Sequence, residues 1–265
     1  GASESQLEMI RRLELAPEVF RSLRDHCGKK GILFLSTPFD EESADFLAGL
    51  DVPAFKIPSG EVTNLPFLEY LAKKGKPLIL STGMADEKEL SRAVESIHAA
   101  GNPPLVLLQC TSAYPADPAD VNLRAMRTMS HLFGVPAGYS DHTLGIEVAL
   151  AAVAMGACVV EKHFTLDRSL PGPDHQASAE PAELAALVRG IRKVEAAMGD
   201  GRKAPAASEA DTAAVARKSL VASVDIPAGA VLTAAMLTAM RPGTGIPSAE
   251  AGRVVGRKAI RDIHK

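Results

Sequence analysis

Pro77-Leu78-Ile79-Leu80-Ser81-Thr82-Gly83, then Asp86-Glu87-Lys88-Glu89, then Gly101: the fold is decided by how this stretch is read. An unbroken Leu-Ile-Leu run, rather than an alternating one, belongs to a parallel strand covered on both faces. Asp86 with Glu89 three residues later resembles a capping box, and Gly101 closes the helix that it opens. The unit is therefore one strand followed by one helix. Working outward, the same pattern returns at Gly31–Thr37, Ala54–Pro58, Pro104–Cys110, Pro136–Ser140 and Ala157–His163. The starts lie roughly 20–30 residues apart, the length of a strand with its crossover helix. A last helix carries Leu184, Leu187, Val188, Ile191 and Val194 as one apolar stripe and stops at Gly199.

Six β/α units follow a helix near Pro17–Lys29 that has no strand before it. An eight-stranded barrel needs about 250 residues, whereas these units occupy about 200. The expectation is an α/β protein with a (β/α)8 barrel over residues 1–200, its first two units missing. An open doubly wound sheet is the rival, but no glycine-rich dinucleotide loop follows any strand. Residues 201–212 read as a linker of Gly, Pro, Ala and charge. Residues 213–265 read as a small α+β module with short strands and Pro/Gly turns. That module is small for autonomous stability.

The 265 residues are 46% hydrophobic, and 29 Lys and Arg stand against 32 Asp and Glu. No basic run of the kind that tracks a phosphate backbone occurs, which excludes a nucleic-acid partner. The longest apolar runs are too short to span a bilayer, and the first residues lack the character of a signal peptide. Cys27, Cys110 and Cys158 form no CxxC and read as reduced, mostly buried thiols. A cytoplasmic location is expected.

The expected strands end in a recurring chemistry. The endings are Ser36-Thr37, Ser59-Gly60-Glu61, Ser81-Thr82-Gly83, Thr111-Ser112-Ala113-Tyr114, Ser140-Asp141-His142 and Glu161-Lys162-His163. In a barrel these ends meet at one mouth, where hydroxyls, Gly-adjacent N–H groups and a lysine suit a phosphate or carboxylate. A single Ser-Gly is ordinarily a turn with a cap; the repetition favours a binding site. Lys56 lies inside an apolar strand, so it either points outward or faces the mouth and meets an anion. Glu61 is a helix-cap carboxylate or a group that orients water. His142 and His163 end successive strands, with Asp174 and His175 just downstream. Either imidazole alone reads as structural; as neighbours they could bind Mn²⁺, Zn²⁺ or Fe²⁺.

Six motifs in order carry a resemblance: Lys56-Ile57-Pro58-Ser59-Gly60-Glu61, Leu80-Ser81-Thr82-Gly83-Met84, Gln109-Cys110-Thr111-Ser112-Ala113-Tyr114-Pro115, Gly138-Tyr139-Ser140-Asp141-His142-Thr143, Glu161-Lys162-His163-Phe164-Thr165 and Gly172-Pro173-Asp174-His175. Together they resemble the N-acetylneuraminate (sialic acid) synthase family, with its C-terminal antifreeze-like domain, over essentially the whole chain. The resemblance implies a (β/α)8 barrel, a domain-swapped homodimer and dependence on Mn²⁺ or Mg²⁺. It also implies condensation of phosphoenolpyruvate with an N-acylated amino sugar, N-acetylmannosamine, to give N-acetylneuraminate and phosphate. Carried over, His142 and His163 are the metal ligands, and Lys56, Ser59, Ser81, Ser112 and Ser140 hold phosphoenolpyruvate. Glu61 positions the attacking water, Tyr114 and Asp174 contact the sugar, and Arg241 reaches the partner's site to touch the N-acyl group.

Two departures stand out. Some members have His-Cys-Thr-Asn where this chain has Gln109-Cys110-Thr111-Ser112, and the family's N-terminal acidic and Lys-Phe-Gln motifs are not found here. Related synthases of legionaminic, pseudaminic or spore-coat sugars are the near alternatives. A non-catalytic sugar-binding paralogue is the alternative from another class.

Overall fold

The computed structural model describes residues 6–172 and 174–265. Pro173 of the Gly172–His175 motif lies outside them, as do residues 1–5 at the start of the chain. The chain divides into two compact units, one ending at Gly199 and the other beginning at Asp200.

The first unit is an α/β layer structure. Its strands are β1 (Phe55–Ile57), β2 (Leu78–Ser81), β3 (Leu105–Cys110), β4 (Ala137–Asp141) and β5 (Val160–Lys162). They form one parallel sheet in simple sequential order. Before the sheet come α1 (Gln6–Leu13), α2 (Pro17–Lys30) and α3 (Glu41–Gly49). Between the strands run α4 (Leu65–Lys73), α5 (Glu87–Ala100), α6 (Arg124–Phe133) and α7 (Glu147–Ala154); α8 (Pro181–Met198) follows β5.

Local chemistry explains these elements. In α5, Asp86 accepts from Glu89 N–H while the Glu89 carboxylate takes Asp86 N–H, so both orphan donors are satisfied. In β1 to β3 the helix-facing residues are Phe55, Ile57, Leu78, Leu80, Leu105 and Leu107, all buried. Phe67, Leu68 and Leu71 of α4 and Leu90, Val94 and Ile97 of α5 complete that core. Strand periodicity then turns the alternate residues, Lys56 and Ser81 among them, toward the opposite face.

The expected first strand, Gly31–Thr37, is not a strand: the segment lies in no β-ladder, and among the described residues the sheet begins at β1. Ile32 and Leu33 are largely exposed, while Phe34 packs against the core. An apolar run becomes a strand only when a neighbouring strand takes its N–H and C=O groups; here Ile32 N–H instead donates back to the Cys27 carbonyl at the end of α2. Among its described residues the first unit therefore has five strands where six were expected. The thiols also differ from expectation, because Cys110 is buried but Cys158, at the entry to β5, is exposed.

In the second unit, β6 (Ser219–Ala222) pairs antiparallel with β7 (Leu237–Met240). The helices α9 (Ala210–Ala216) and α10 (Ala251–Val254) are short. Ala222, Ile226, Leu232 and Ala259 make its small core, and bridges Ile226–Ile263 and Val231–Lys258 tie the last residues in. The stretch expected as a linker holds a 3-10 turn at Ala207–Glu209 and the start of α9.

Candidate active site

Three strands meet at Lys56. Its Nζ donates to Ser81 Oγ at 2.8 Å and to the Ile57 carbonyl at 3.1 Å, and lies 3.4 Å from Glu161 Oε2. Lys56 thus points to the face of the sheet that carries Ser81 and Glu161, opposite the helix-facing Phe55 and Ile57. Ser140 Oγ donates to the other oxygen, Glu161 Oε1, at 3.1 Å. Ser59 follows β1 in a 3-10 turn (Ser59–Glu61), and its Oγ is 3.4 Å from Ser112 Oγ. Gly83 sits beneath that pair at φ +46°, where an added Cβ would fall 2.4 Å from Ser59 Cβ. Only the absence of a side chain lets this turn approach the serines so closely. Its N–H donates to Cys110 Sγ, and burial pushes the Cys110 thiol above its ordinary range.

Glu61 is held by Asn64, whose Nδ2 donates to Glu61 Oε2 at 2.7 Å. That hydrogen bond fixes the carboxylate and leaves its other oxygen available as an acceptor.

His142 and His163 follow the ends of β4 and β5, their ring centroids 5.3 Å apart. Tyr114 lies against both, 4.3 Å from the His142 ring and 5.5 Å from the His163 ring. Backbone bonds brace each histidine, since His142 C=O accepts from Ala116 N–H and His163 C=O from Ala179 N–H. His142 Nδ1 is 2.6 Å from the Thr111 carbonyl, so in the neutral ring it carries the proton and Nε2 keeps the lone pair. Burial pushes this imidazole below the ordinary histidine range; the Thr111 carbonyl pulls it back up, and His163 adds to the downward push. A neutral imidazole with one nitrogen tied to a carbonyl is the form in which histidine ligates metals. His163 Nδ1 stands 3.8 Å from Asp174 Oδ2.

Two neighbouring imidazoles are donors of the type that a divalent cation takes, so the residue types fit one. Among the described residues no group of three His, Cys, Asp or Glu converges into a ready-made cluster. The loop from Phe164 to Glu180, which carries Asp174, is tied down at its base. Arg168 donates to the Ser178 carbonyl and to Glu183, and Thr165 Oγ1 meets His175 Nδ1 at 2.7 Å.

Of the residues named from sequence, the structure brings Lys56, Ser81 and Ser140 together through Glu161. It also brings together Ser59 with Ser112, and His142, His163, Tyr114 and Asp174. Glu61 sits with Asn64, and Arg241 lies in the second unit, where its Nε donates to the Ala216 carbonyl. Glu161 was not singled out as a site residue. The available signal was its place beside Lys162 in a strand that faces Ser140 in register.

A family model described as the NeuB family matches residues 1–203, and one described as the SAF domain matches residues 217–265. The chain is similar to the N,N'-diacetyllegionaminic acid synthase of Legionella pneumophila, at 48% identity over 98% of this chain and 74% of that protein. It is 42% identical to human N-acetylneuraminate-9-phosphate synthase, over 97% of this chain and 72% of that protein. Among solved structures it resembles the N-acetylneuraminic acid (sialic acid) synthetase of Leptospira borgpetersenii. The TM-score is 0.74 at 39% identity, over 80% of this chain and 74% of that one. No helix among the described residues is long and apolar enough to cross a membrane.

Proposed function

Because the chain belongs to the NeuB family and carries a SAF domain, we propose that it condenses phosphoenolpyruvate with an N-acylated amino sugar to form a nonulosonic acid. The observation that carries this reading is the convergence of Lys56, Ser81, Ser140 and Glu161 at strand ends that also bring two imidazoles together. The five parallel strands are read as part of an eight-stranded barrel, which their sequential order supports.

In the proposed chemistry Lys56 supplies fixed positive potential for phosphoenolpyruvate. The hydroxyls of Ser59, Ser81, Ser112 and Ser140 donate to its oxygens. Tyr114 and Asp174 hold the sugar beside the imidazoles. A divalent metal, Mn²⁺ or Mg²⁺, held by His142 and His163 would supply Lewis-acid polarisation of the sugar's aldehyde oxygen. C3 of phosphoenolpyruvate bonds to the aldehyde carbon as the C=O π bond opens, its oxygen takes a proton from solvent, and an oxocarbenium is left at C2. Glu61, oriented by Asn64, accepts a proton from the water that adds at C2, and the C–O bond to phosphate then breaks to leave the 2-keto acid. The resemblance further supports a cytoplasmic, domain-swapped homodimer in which Arg241 reaches the N-acyl group in the partner's site.

N-acetylmannosamine is the first acceptor to test, giving N-acetylneuraminate. The 48% identity to N,N'-diacetyllegionaminic acid synthases favours a second reading, a diacetamido analogue. Phosphate release is measured with Mn²⁺, phosphoenolpyruvate and each sugar in turn. Release with one sugar assigns the acceptor; no metal-dependent release with any would overturn the enzyme reading.

A further inference from the structure

We propose that the buried Asp141–Lys162 ion pair is a positioning element that sets the spacing of His142 and His163 from behind the sheet. The proposal rests on the reading that these two imidazoles hold a divalent cation.

Asp141 and Lys162 are register partners on β4 and β5, each one residue before its histidine. Strand alternation sends their side chains to the helix-facing side, whereas the bonded pair Ser140 and Glu161 lies on the mouth side. On β1 to β3 that helix-facing side is apolar from Phe55 to Leu107 and carries no charge, its polar residue being Gln109, which donates to the Val121 carbonyl. A salt bridge in this layer, 0% exposed at Asp141 and 3% at Lys162, is exceptional there. Apolar residues of like volume hold a sheet at least as well as a buried ion pair, so sheet cohesion alone does not account for it.

The hydrogen bonds indicate what the pair adds. Asp141 Oδ1 accepts from Tyr139 Oη at 3.1 Å, from Thr143 N–H at 2.9 Å and from Thr143 Oγ1 at 2.7 Å. Lys162 Nζ donates to Asp141 Oδ2 at 2.8 Å and to the Thr143 carbonyl at 2.7 Å. One ammonium therefore grips the chain on both sides of His142, and it belongs to the residue that directly precedes His163. The backbone between the two imidazoles is closed into a short, fully satisfied loop of charge-assisted bonds. Such a network is rigid in a low-dielectric interior. Strand alternation points both side chains away from the face that carries Ser140 and Glu161.

The test measures Mn²⁺ binding by calorimetry on the metal-stripped full chain without substrate, alongside the thermal midpoint in EDTA. Lys162→Met is expected to weaken Mn²⁺ binding about tenfold or more, the scale on which supporting shells act on metal affinity. Lys162→Arg should restore most of the loss. The double variant Asp141→Asn/Lys162→Met leaves no charge unpaired, so it should recover the midpoint but not the affinity. A purely structural pair would not produce that split. Folded Lys162→Met, or the double variant, binding Mn²⁺ as tightly as the parent would overturn the proposal. Should both fail to fold, Tyr139→Phe decides, since it removes one bond to Asp141 and keeps the ring; unweakened binding there overturns it too. His163→Ala separates the two layers of argument: undiminished binding in that variant would overturn the metal reading itself.

Discussion

Replacing Gly83 with alanine perturbs fold and site together, and the structure gives the size of each effect. Gly83 has φ +46°, which costs an alanine about 1–2 kcal/mol in left-handed backbone. Its new Cβ would stand 2.4 Å from Ser59 Cβ, 2.5 Å from Ser59 Oγ and 2.7 Å from Ser112 Oγ. Relieving such contacts by shifting neighbours adds about 1–3 kcal/mol. The sum, about 2–5 kcal/mol, corresponds to a fall in thermal midpoint of about 4–20 °C for a unit of this size. The neighbours that must move are the two serines proposed to hold phosphoenolpyruvate, and losing one such hydrogen bond, about 1 kcal/mol, raises its KM roughly fivefold. Circular dichroism reads the midpoint, and phosphate release against phosphoenolpyruvate concentration reads KM. Gly134→Ala is the control. Gly134 sits at φ +66° with nothing within 4 Å of the added Cβ, so it carries backbone strain without the clash. It should lower the midpoint and leave KM alone. An unchanged midpoint and KM in Gly83→Ala would refute the crowding argument; equal KM shifts in both variants would refute its localisation to the serines.

Leu107→Ala, at a fully buried position of β3, should destabilise the chain by about 2–5 kcal/mol in urea unfolding, and a loss below that range would mean that the sheet's helix-facing core is looser than described. Asp86→Ala breaks the capping box of α5 and should cost about 1 kcal/mol by the same measurement. His163→Ala should abolish metal-dependent phosphate release while His98→Ala, in the last turn of α5, retains it; equal loss in both would mean that the metal assignment is wrong. Stripping the parent with EDTA should stop turnover and Mn²⁺ should restore it, and turnover that survives stripping would remove the metal from the mechanism.

The strands β2 and β3 were legible because each holds an unbroken apolar run followed by a helix, β1, β4 and β5 because they recur at the same spacing, and the cap of α5 because a box needs only four residues. Gly31–Thr37 has the same composition and no partner, and composition does not say whether a neighbour exists. The site divides in a similar way. The hydroxyls and histidines at strand ends could be named from sequence, since the C-terminal ends of parallel strands in one sheet lie along one edge. Which way Lys56 faces, and which acid it meets, depended on register. A shift of one residue would have buried its ammonium among the apolar side chains around Phe55 and Ile57. Asp141 and Lys162 were invisible for the same reason, being 21 residues apart in the chain and side by side only once β4 and β5 are aligned.

Tyr114 lies against both imidazoles, in a chain that has three tyrosines and no tryptophan. With excitation beyond the phenylalanine band, tyrosine emission, ordinarily drowned by indole, is here the intrinsic fluorescence of the molecule. Tyr70 donates to Asp45, and Tyr139 donates to Asp141 from the helix-facing side of the sheet, so neither ring lies against the imidazoles as Tyr114 does. A cation arriving at the edges of His142 and His163 changes the field around one of only three emitters. The protein therefore carries its own optical gauge of that pocket, readable without a label and erased by Tyr114→Phe.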